Sequence, residues 1–459
     1  PQNNKNTSQP AAGASAAAQP GFVRRNAVRL LALVVLAAGA FFGYRYYVQK
    51  SAPAGPKYVF GAEETLTATQ PVLELLSPEQ TGVDFQNIIT ETESNNISTN
   101  INMYNGGGMA VADINNDNLP DLFFVCTNGQ NKLYLNQGNL KFKDITATSG
   151  LSTGEGGFET CVTAVDINAD GYLDFYVGRG GSMENDDRRN RLFVNNGNLT
   201  FTEKAKEYGI DDISATSGAN FFDYDLDGDL DLYVLNHPVD LRYTRQIDVQ
   251  TDPDGSPVPN IQPKKPLDTD RLYRNDGGKF TDVSKEAGIW NFGYGLSVSV
   301  SDFNRDGYPD VYAGNDFIQP DFLYINNRNG TFTNRLGEYF RHTSQHTMGT
   351  DLTDFDNDGL VDLYAVDMVP AADYRIKTLE TTNTLSKYLS LVRAGYFEPV
   401  VRNVCQRNNG NGTFSDVACM AGIYRTDWSW SGLFADFDND GFKDLHVTNG
   451  FRRELTNRD

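Results

Sequence analysis

Histidine and cysteine are scarce in this chain, at four residues each among 459. His342 and His346 are four apart, but their surroundings read as loop and strand, so they lack the one-face helical spacing of a zinc site. Cys126, Cys161, Cys405 and Cys419 show no CxxC or zinc spacing. They read as free thiols; Cys405 and Cys419, flanking the turn at 409–412, are the pair to join if any disulfide forms. There is no phosphate-binding loop or dinucleotide fingerprint. Basic residues are also in deficit, 39 against 60 acidic, for a net charge of −21 that argues against a nucleic-acid partner. These absences point away from an enzyme, and no catalytic residue is assigned.

Long apolar runs are missing too, with one exception. Arg24, Arg25 and Arg29 precede an uncharged apolar run over 30–44, and Arg45 and Lys50 follow it. A basic flank before such a run predicts a signal anchor over 23–48, with a cleaved signal peptide as the alternative. The basic side stays in the cytoplasm, which places the rest in the cell envelope, periplasmic or extracellular. Residues 1–22 read as a low-complexity, disordered tail. Residues 49–80, with Pro53, Pro56, Pro71 and Pro78, read as a linker to a domain over 81–459. The chain runs from Pro1 to Asp459, just past its last acidic loop, and is expected to be a piece of a longer protein.

What is abundant is aspartate in one arrangement. The stretch Asp223-Tyr-Asp225-Leu-Asp227-Gly228-Asp-Leu-Asp231 puts carboxylates at positions 1, 3, 5 and 9 with glycine at 6. Hard oxygen ligands at this spacing suit Ca²⁺, which accepts six to eight of them in irregular geometry. Five more copies carry Asp113, Asn115, Asp117 and Asp121; Asp166, Asn168, Asp170 and Asp174; Asp302, Asn304, Asp306 and Asp310; Asp354, Asp356, Asp358 and Asp362; and Asp436, Asp438, Asp440 and Asp444. Position 6 is glycine in five copies and Asn118 in the first, the residue types that best tolerate positive φ. Up to six structural Ca²⁺ are expected, bound by these 24 side chains and a backbone carbonyl at position 7. An EF-hand is excluded: its bidentate Glu at position 12 is replaced by Phe124, Val177, Val234, Ala313, Ala365 and Val447.

The loops recur at intervals of 53, 57, 79, 52 and 82 residues. Short apolar runs lie on both sides of each, as in Leu232-Tyr-Val234. A third run such as Leu133-Tyr-Leu-Asn136 then leads through an Asn-Gly turn into a fourth built on Phe142, Phe201, Phe280, Phe332 or Phe414. Four strands in a repeating unit of about fifty residues make a β-propeller blade, with a solenoid as the runner-up. The fold class is therefore all-β, a propeller of four-stranded blades preceded by an N-terminal membrane helix.

The loop, with Leu-Tyr-x-Asn, Asn-Gly-x-Phe and Ala-Gly-Ile, resembles the FG-GAP/VCBS repeat family. Gly106-Gly-Gly-Met-Ala-Val-Ala-Asp113, Asp367-Met-Val-Pro370 and Thr426-Asp-Trp-Ser-Trp430 are similar to bacterial secreted relatives of cartilage acidic protein (ASPIC/UnbV-type). The resemblance implies a calcium-stabilised propeller, seven-bladed when complete, that serves as a binding or adhesion scaffold for protein or glycan. Some propellers with such repeats are polysaccharide lyases or hydrolases, and that is the alternative. Six loops are visible here, and residues 82–89 resemble a Phe-centred fourth strand that closes the ring.

Two insertions lengthen the repeat, 236–269 and 366–402, each after the second strand of its blade. The first, with Asp252-Pro-Asp-Gly-Ser-Pro257, reads as turn-rich, and the second as a helix from about 371 to 391. Ligand contact is expected on the loop face and these insertions. Aromatics near Trp290-Asn-Phe-Gly-Tyr294 and Trp428-Ser-Trp430 read either as rim packing or as stacking platforms for sugar rings.

Overall fold

The computed structural model describes residues 73–450, apart from 94–95, 98–99, 152–156, 182–187 and 380–383. The expected tail (1–22), anchor (23–48) and most of the linker (49–80) lie outside them. Among the described residues no helix is long and apolar enough to cross a membrane.

Six antiparallel blades form a β-propeller. Blade 1 is Met109–Ala112, Asp121–Phe124, Lys132–Asn136 and Phe142–Asp144. Blade 2 is Glu159–Val165, Asp174–Arg179, Arg191–Asn195 and Phe201–Glu203, and blade 3 is Ala215–Phe222, Asp231–His237, Arg271–Asn275 and Phe280–Asp282. Blade 4 comprises Gly295–Ser301, Asp310–Asn315, Phe322–Asn326 and Phe332–Asn334; blade 5 comprises Gly349–Thr353, Asp362–Val366, Val404–Asn408 and Phe414–Asp416. Among the described residues blade 6 has Asp427–Ala435 and Asp444–Asn449, extended by the short strand Met368–Val369 from the second insertion. The six blades expected from the six loops are what the described residues show.

The core lies between blades. Phe123, Val125 and Leu133 of blade 1 pack against Phe175, Val177 and Phe193 of blade 2, and comparable layers follow around to blade 6. Because a blade is covered on both faces, the second strands of blades 2 to 5 are buried along their whole length. That burial explains why the sequence shows continuous apolar runs there instead of alternation. The buried tyrosines in this layer have their hydroxyls satisfied: Tyr233 donates to Asp270, Tyr312 to Asp321 and Tyr364 to the Ile423 carbonyl. Only the outward faces of blades 1 and 6 break the rule. Met109 and Val111 are each 55% exposed, and Asp444–Asn449 is exposed or half-buried throughout.

Residues 83–90 form no strand, which corrects the expected closing strand at 82–89. Helix Pro78–Thr81 ends at Gly82 with φ +83°, packed so tightly on the Phe142 carbonyl that a Cβ would lie 2.4 Å from its oxygen. Gly150, Gly209 and Gly288 make the same approach to the Phe201, Phe280 and Phe332 carbonyls. Residues 78–82 thus repeat the connection that hands one blade to the next. Phe85 then stacks on Phe124 at 4.8 Å, and Asp84 accepts the Tyr134 hydroxyl.

The first insertion is turn-rich as expected, whereas the second, expected as one helix from about 371 to 391, carries two. The first holds the 3₁₀ turn Leu241–Tyr243 and the hairpin Val249–Thr251 with Pro257–Pro259; the second holds helices Asp373–Leu379 and Leu385–Arg393. They join each other: the Tyr396 hydroxyl accepts from the Asp248 N–H and donates to its carbonyl, both at 3.1 Å. Among the aromatics, Phe292 and Tyr294 are buried as rim packing. All four cysteines are free, so Cys405 and Cys419 are not joined.

Candidate functional site

All six aspartate loops connect the first and second strands of their blades, and each closes through the same hydrogen bonds. The position-1 carboxylate accepts the N–H groups of positions 5 and 6: Asp223 from Asp227 and Gly228, at 3.1 and 3.0 Å. Asp113, Asp166, Asp302, Asp354 and Asp436 do the same. Position 5 accepts the position-7 N–H in every loop, through Asp117, Asp170, Asp227, Asp306, Asp358 and Asp440. The position-9 carboxylate reaches back to the position-2 N–H, as Asp231 does to Tyr224 at 3.0 Å. Asp121, Asp174, Asp310, Asp362 and Asp444 repeat it.

This wrapping requires two left-handed residues, not one. Position 6 has φ from +66° at Asn118 to +100° at Gly228, as its residue types suggest. Position 4 is also left-handed, at Asn116, Ala169, Leu226, Arg305, Asn357 and Asn439. Ala, Leu and Arg disfavour that conformation, so loops 2, 3 and 4 carried no sequence signal for it, whereas the asparagines of loops 1, 5 and 6 did.

The fold converges acidic oxygens. Ligand atoms of Asp223, Asp225 and Asp231 lie within 4.8 Å of one another, as do those of Asp354, Asp356 and Asp362, and of Asp436, Asp438 and Asp444. Opposed ligands of a Ca²⁺ at 2.3–2.6 Å stand about 5 Å apart, so these sets match its sphere. Asp225 Oδ1 and Asp356 Oδ1 are buried in their loops with no hydrogen-bond donor, which is what a cation ligand needs. The other three loops carry an amide at position 3. There Asn115, Asn168 and Asn304 each donate to the position-5 carboxylate at 3.0 Å.

Without a cation these carboxyls are under electrostatic strain. Burial, reinforced by neighbouring carboxylates, pushes Asp174 up to about 6 and Asp231, Asp310 and Asp362 up to about 7. Burial likewise raises Asp225 and Asp356, with Asp227 and Asp358 adding to it. A divalent cation at the focus would reverse these shifts.

A role missed in the sequence belongs to the asparagine closing the third strand. Asn275 donates its N–H to Asp231 Oδ1 at 2.8 Å and its Nδ2 to the Leu230 carbonyl, while its Oδ1 accepts the Gly278 N–H. Asn136, Asn195, Asn326 and Asn408 do the same, each locking a hairpin turn to a loop. The Leu-Tyr-x-Asn motif displayed these residues but not their target. Loops also touch across blades: the Asn116 side chain donates to the Gly171 carbonyl, and Asn357 to Gly441.

The loop face and the insertions, both expected to contact a ligand, lie on opposite sides of the propeller. A first strand runs into its aspartate loop and the second runs away, so the insertions, which follow second strands, emerge on the opposite face. The histidines form no joint site either: His342 Nε2 meets Asp416 at 2.8 Å and His346 Nδ1 meets Asp316 at 2.8 Å.

A family model described as FG-GAP-like repeat matches residues 113–177, 180–234, 265–313, 302–365 and 399–447. Cartilage acidic protein 1 of Mus musculus is 35% identical over 83 residues, which is 18% of this chain and 13% of the mouse protein. The match thus spans a small part of that relative. Among solved structures, BBS1N in complex with ARL6DN is similar over 74% of this chain and 73% of its own, with 9% identity and a TM-score of 0.37. The V. cholerae biofilm matrix protein Bap1 is similar over 67% of this chain and 38% of its own, with 13% identity and a TM-score of 0.32.

Proposed function

Because the chain belongs to the FG-GAP-like repeat family, we propose that its six loops each take one Ca²⁺ and that the protein is a calcium-braced binding scaffold. The observation that carries this reading is the pair of orphaned oxygens, Asp225 Oδ1 and Asp356 Oδ1, inside rings of converging carboxylates. Bound Ca²⁺ supplies the positive charge that lets these carboxylates approach one another. The chain's own residues do the rest: position 1 pins the turn, and position 9 joins loop, second strand and third-strand asparagine.

Millimolar calcium outside the cytoplasm suits shallow loops of this kind, so the scaffold is placed in a bacterial cell envelope, anchored through 23–48. Its ligand, a protein or a glycan, is engaged on the face that carries the insertions, where the sequence departs from its own repeat. The test is calorimetric titration of Ca²⁺ into the EDTA-stripped protein, with bound metal counted by mass spectrometry. Several equivalents are expected, falling by one in Asp231→Asn. Uptake no greater than a buffer control, or an unchanged count in that variant, contradicts the proposal.

A further inference from the structure

On the insertion-bearing side the propeller axis opens into a cavity of about 310 Å³. It is lined by the ends of the inner and second strands remote from the metal loops, with Asn102 and Gly106 contributed by the segment entering blade 1. Asp, Glu, Lys and Arg make up 22% of the chain, yet none of them is among the described residues lining this cavity. In their place stand amides, hydroxyls, one imidazole and the Trp430 ring, with Leu296 and Met348 as an apolar floor.

The polar groups are arranged, not merely present. Asn102 Nδ2 lies 3.1 and 3.2 Å from the two ring nitrogens of His237, and its Oδ1 accepts from Asn105 Nδ2 at 3.1 Å, which fixes the amide orientation. His237 is buried, and burial lowers its pKa to about 4, so the ring is neutral at physiological pH. Thr160 and Ser217 spend their hydroxyl protons on strand carbonyls and keep acceptor lone pairs. Ser431 and Thr448 are exposed at the rim and make no side-chain hydrogen bond among the described residues. Trp430 is half-buried, with its Nε1 donating to the Gly450 carbonyl, so the indole is held at a fixed angle.

We propose that this cavity at the mouth of the axis binds an uncharged sugar unit of a glycan. It deepens the scaffold reading and rests on it. Amides and hydroxyls of mixed donor and acceptor character match the hydroxyl groups of a pyranose, and a fixed aromatic ring matches its C–H face. The described lining residues carry no fixed charge, so they offer an acidic sugar no direct counter-ion for its carboxylate, whose desolvation they would leave uncompensated.

The experiment uses the full chain in calcium and follows tryptophan fluorescence and saturation-transfer NMR. The probes are neutral cello-, manno- and xylo-oligosaccharides, with oligogalacturonate as the acidic comparison. At least one neutral series is expected to bind, with oligogalacturonate at least tenfold weaker. Trp430→Ala and Thr448→Asp should each weaken binding tenfold or more, and Trp430→Phe should retain most of it. Melting curves show that each variant is folded; if Trp430→Ala is not, Thr448→Asp decides. Binding of the acidic probe alone, no saccharide binding, or affinity unchanged in the folded variants overturns the proposal. Metal uptake on the same samples separates the two readings: calcium bound without sugar refutes this inference and leaves the scaffold intact.

Discussion

Leu226 sits at φ +61° because its loop must turn twice within three residues, and a branched side chain resists that geometry. Asparagine occupies the same position in loops 1, 5 and 6. Leu226 is 49% exposed, so little burial is lost on replacing it. Leu226→Asn should therefore stabilise the calcium-free protein by about 0.5–1 kcal/mol in urea denaturation; a neutral or negative change would show that the turn is unstrained. At the far end of blade 5, burial alone would raise the Asp416 carboxyl, but His342, two backbone N–H groups and Arg402 outweigh it and hold it at about 2. A depressed folded value stabilises above the unfolded value of about 4, and that stability is lost as pH falls toward 2. Asp416→Asn should cost on the order of 2 kcal/mol at neutral pH, a difference that shrinks as pH is lowered from about 4 to 2. A cost independent of pH would assign Asp416 a purely steric role. At this scale the sequence was half legible. The ligand spacing and the position-6 turn are written in residue types, whereas the position-4 strain and the Asp416 cluster depend on neighbours the chain brings from elsewhere.

The aspartate loop and third-strand asparagine act as one element in blades 1 to 5. Asn275→Ala removes two side-chain hydrogen bonds at once, to the Leu230 carbonyl and from the Gly278 N–H, and so loosens the backbone N–H that holds the buried Asp231 carboxylate. The expected cost is about 1–3 kcal/mol in denaturation with calcium present, together with weaker binding at loop 3; Asn275→Asp should not rescue it, since it adds negative charge beside Asp231. Loss of stability with unchanged calcium affinity would mean that the asparagine serves only the hairpin. Blade strands were readable because apolar runs, Asn-Gly turns and the Phe-centred fourth strand are local signals. Residues 82–89 misled for a related reason: Phe85 carries the aromatic signal of a fourth strand, but Gly82 is committed to the turn against Phe142. A glycine that caps a short helix and one that opens a strand look alike without their neighbours.

Across the whole molecule, the repeating and the unique parts separate onto opposite faces. One face collects the six loops, some in direct contact; the other collects both insertions and the axial cavity. Antiparallel alternation dictates this separation, and it could have been read from strand order once the insertions were placed after second strands. What the sequence could not show is that the two insertions meet, since Asp248 and Tyr396 are 148 residues apart. Blade 6 is the least supported: its strand Asp444–Asn449 is exposed, and its loop lacks the third-strand asparagine among the described residues. Loop 6 is accordingly expected to release Ca²⁺ first as EDTA is titrated, seen as selective loss of metal sensitivity in Asp444→Asn at low chelator; uniform release from all loops would contradict that ranking. The central claim is that calcium holds the blades together. Its most direct test is the melting temperature in excess Ca²⁺, after EDTA, and after calcium is restored. A large drop on chelation, fully reversed by Ca²⁺ and not by Mg²⁺, is the predicted result, whereas a melting curve indifferent to chelation would contradict it.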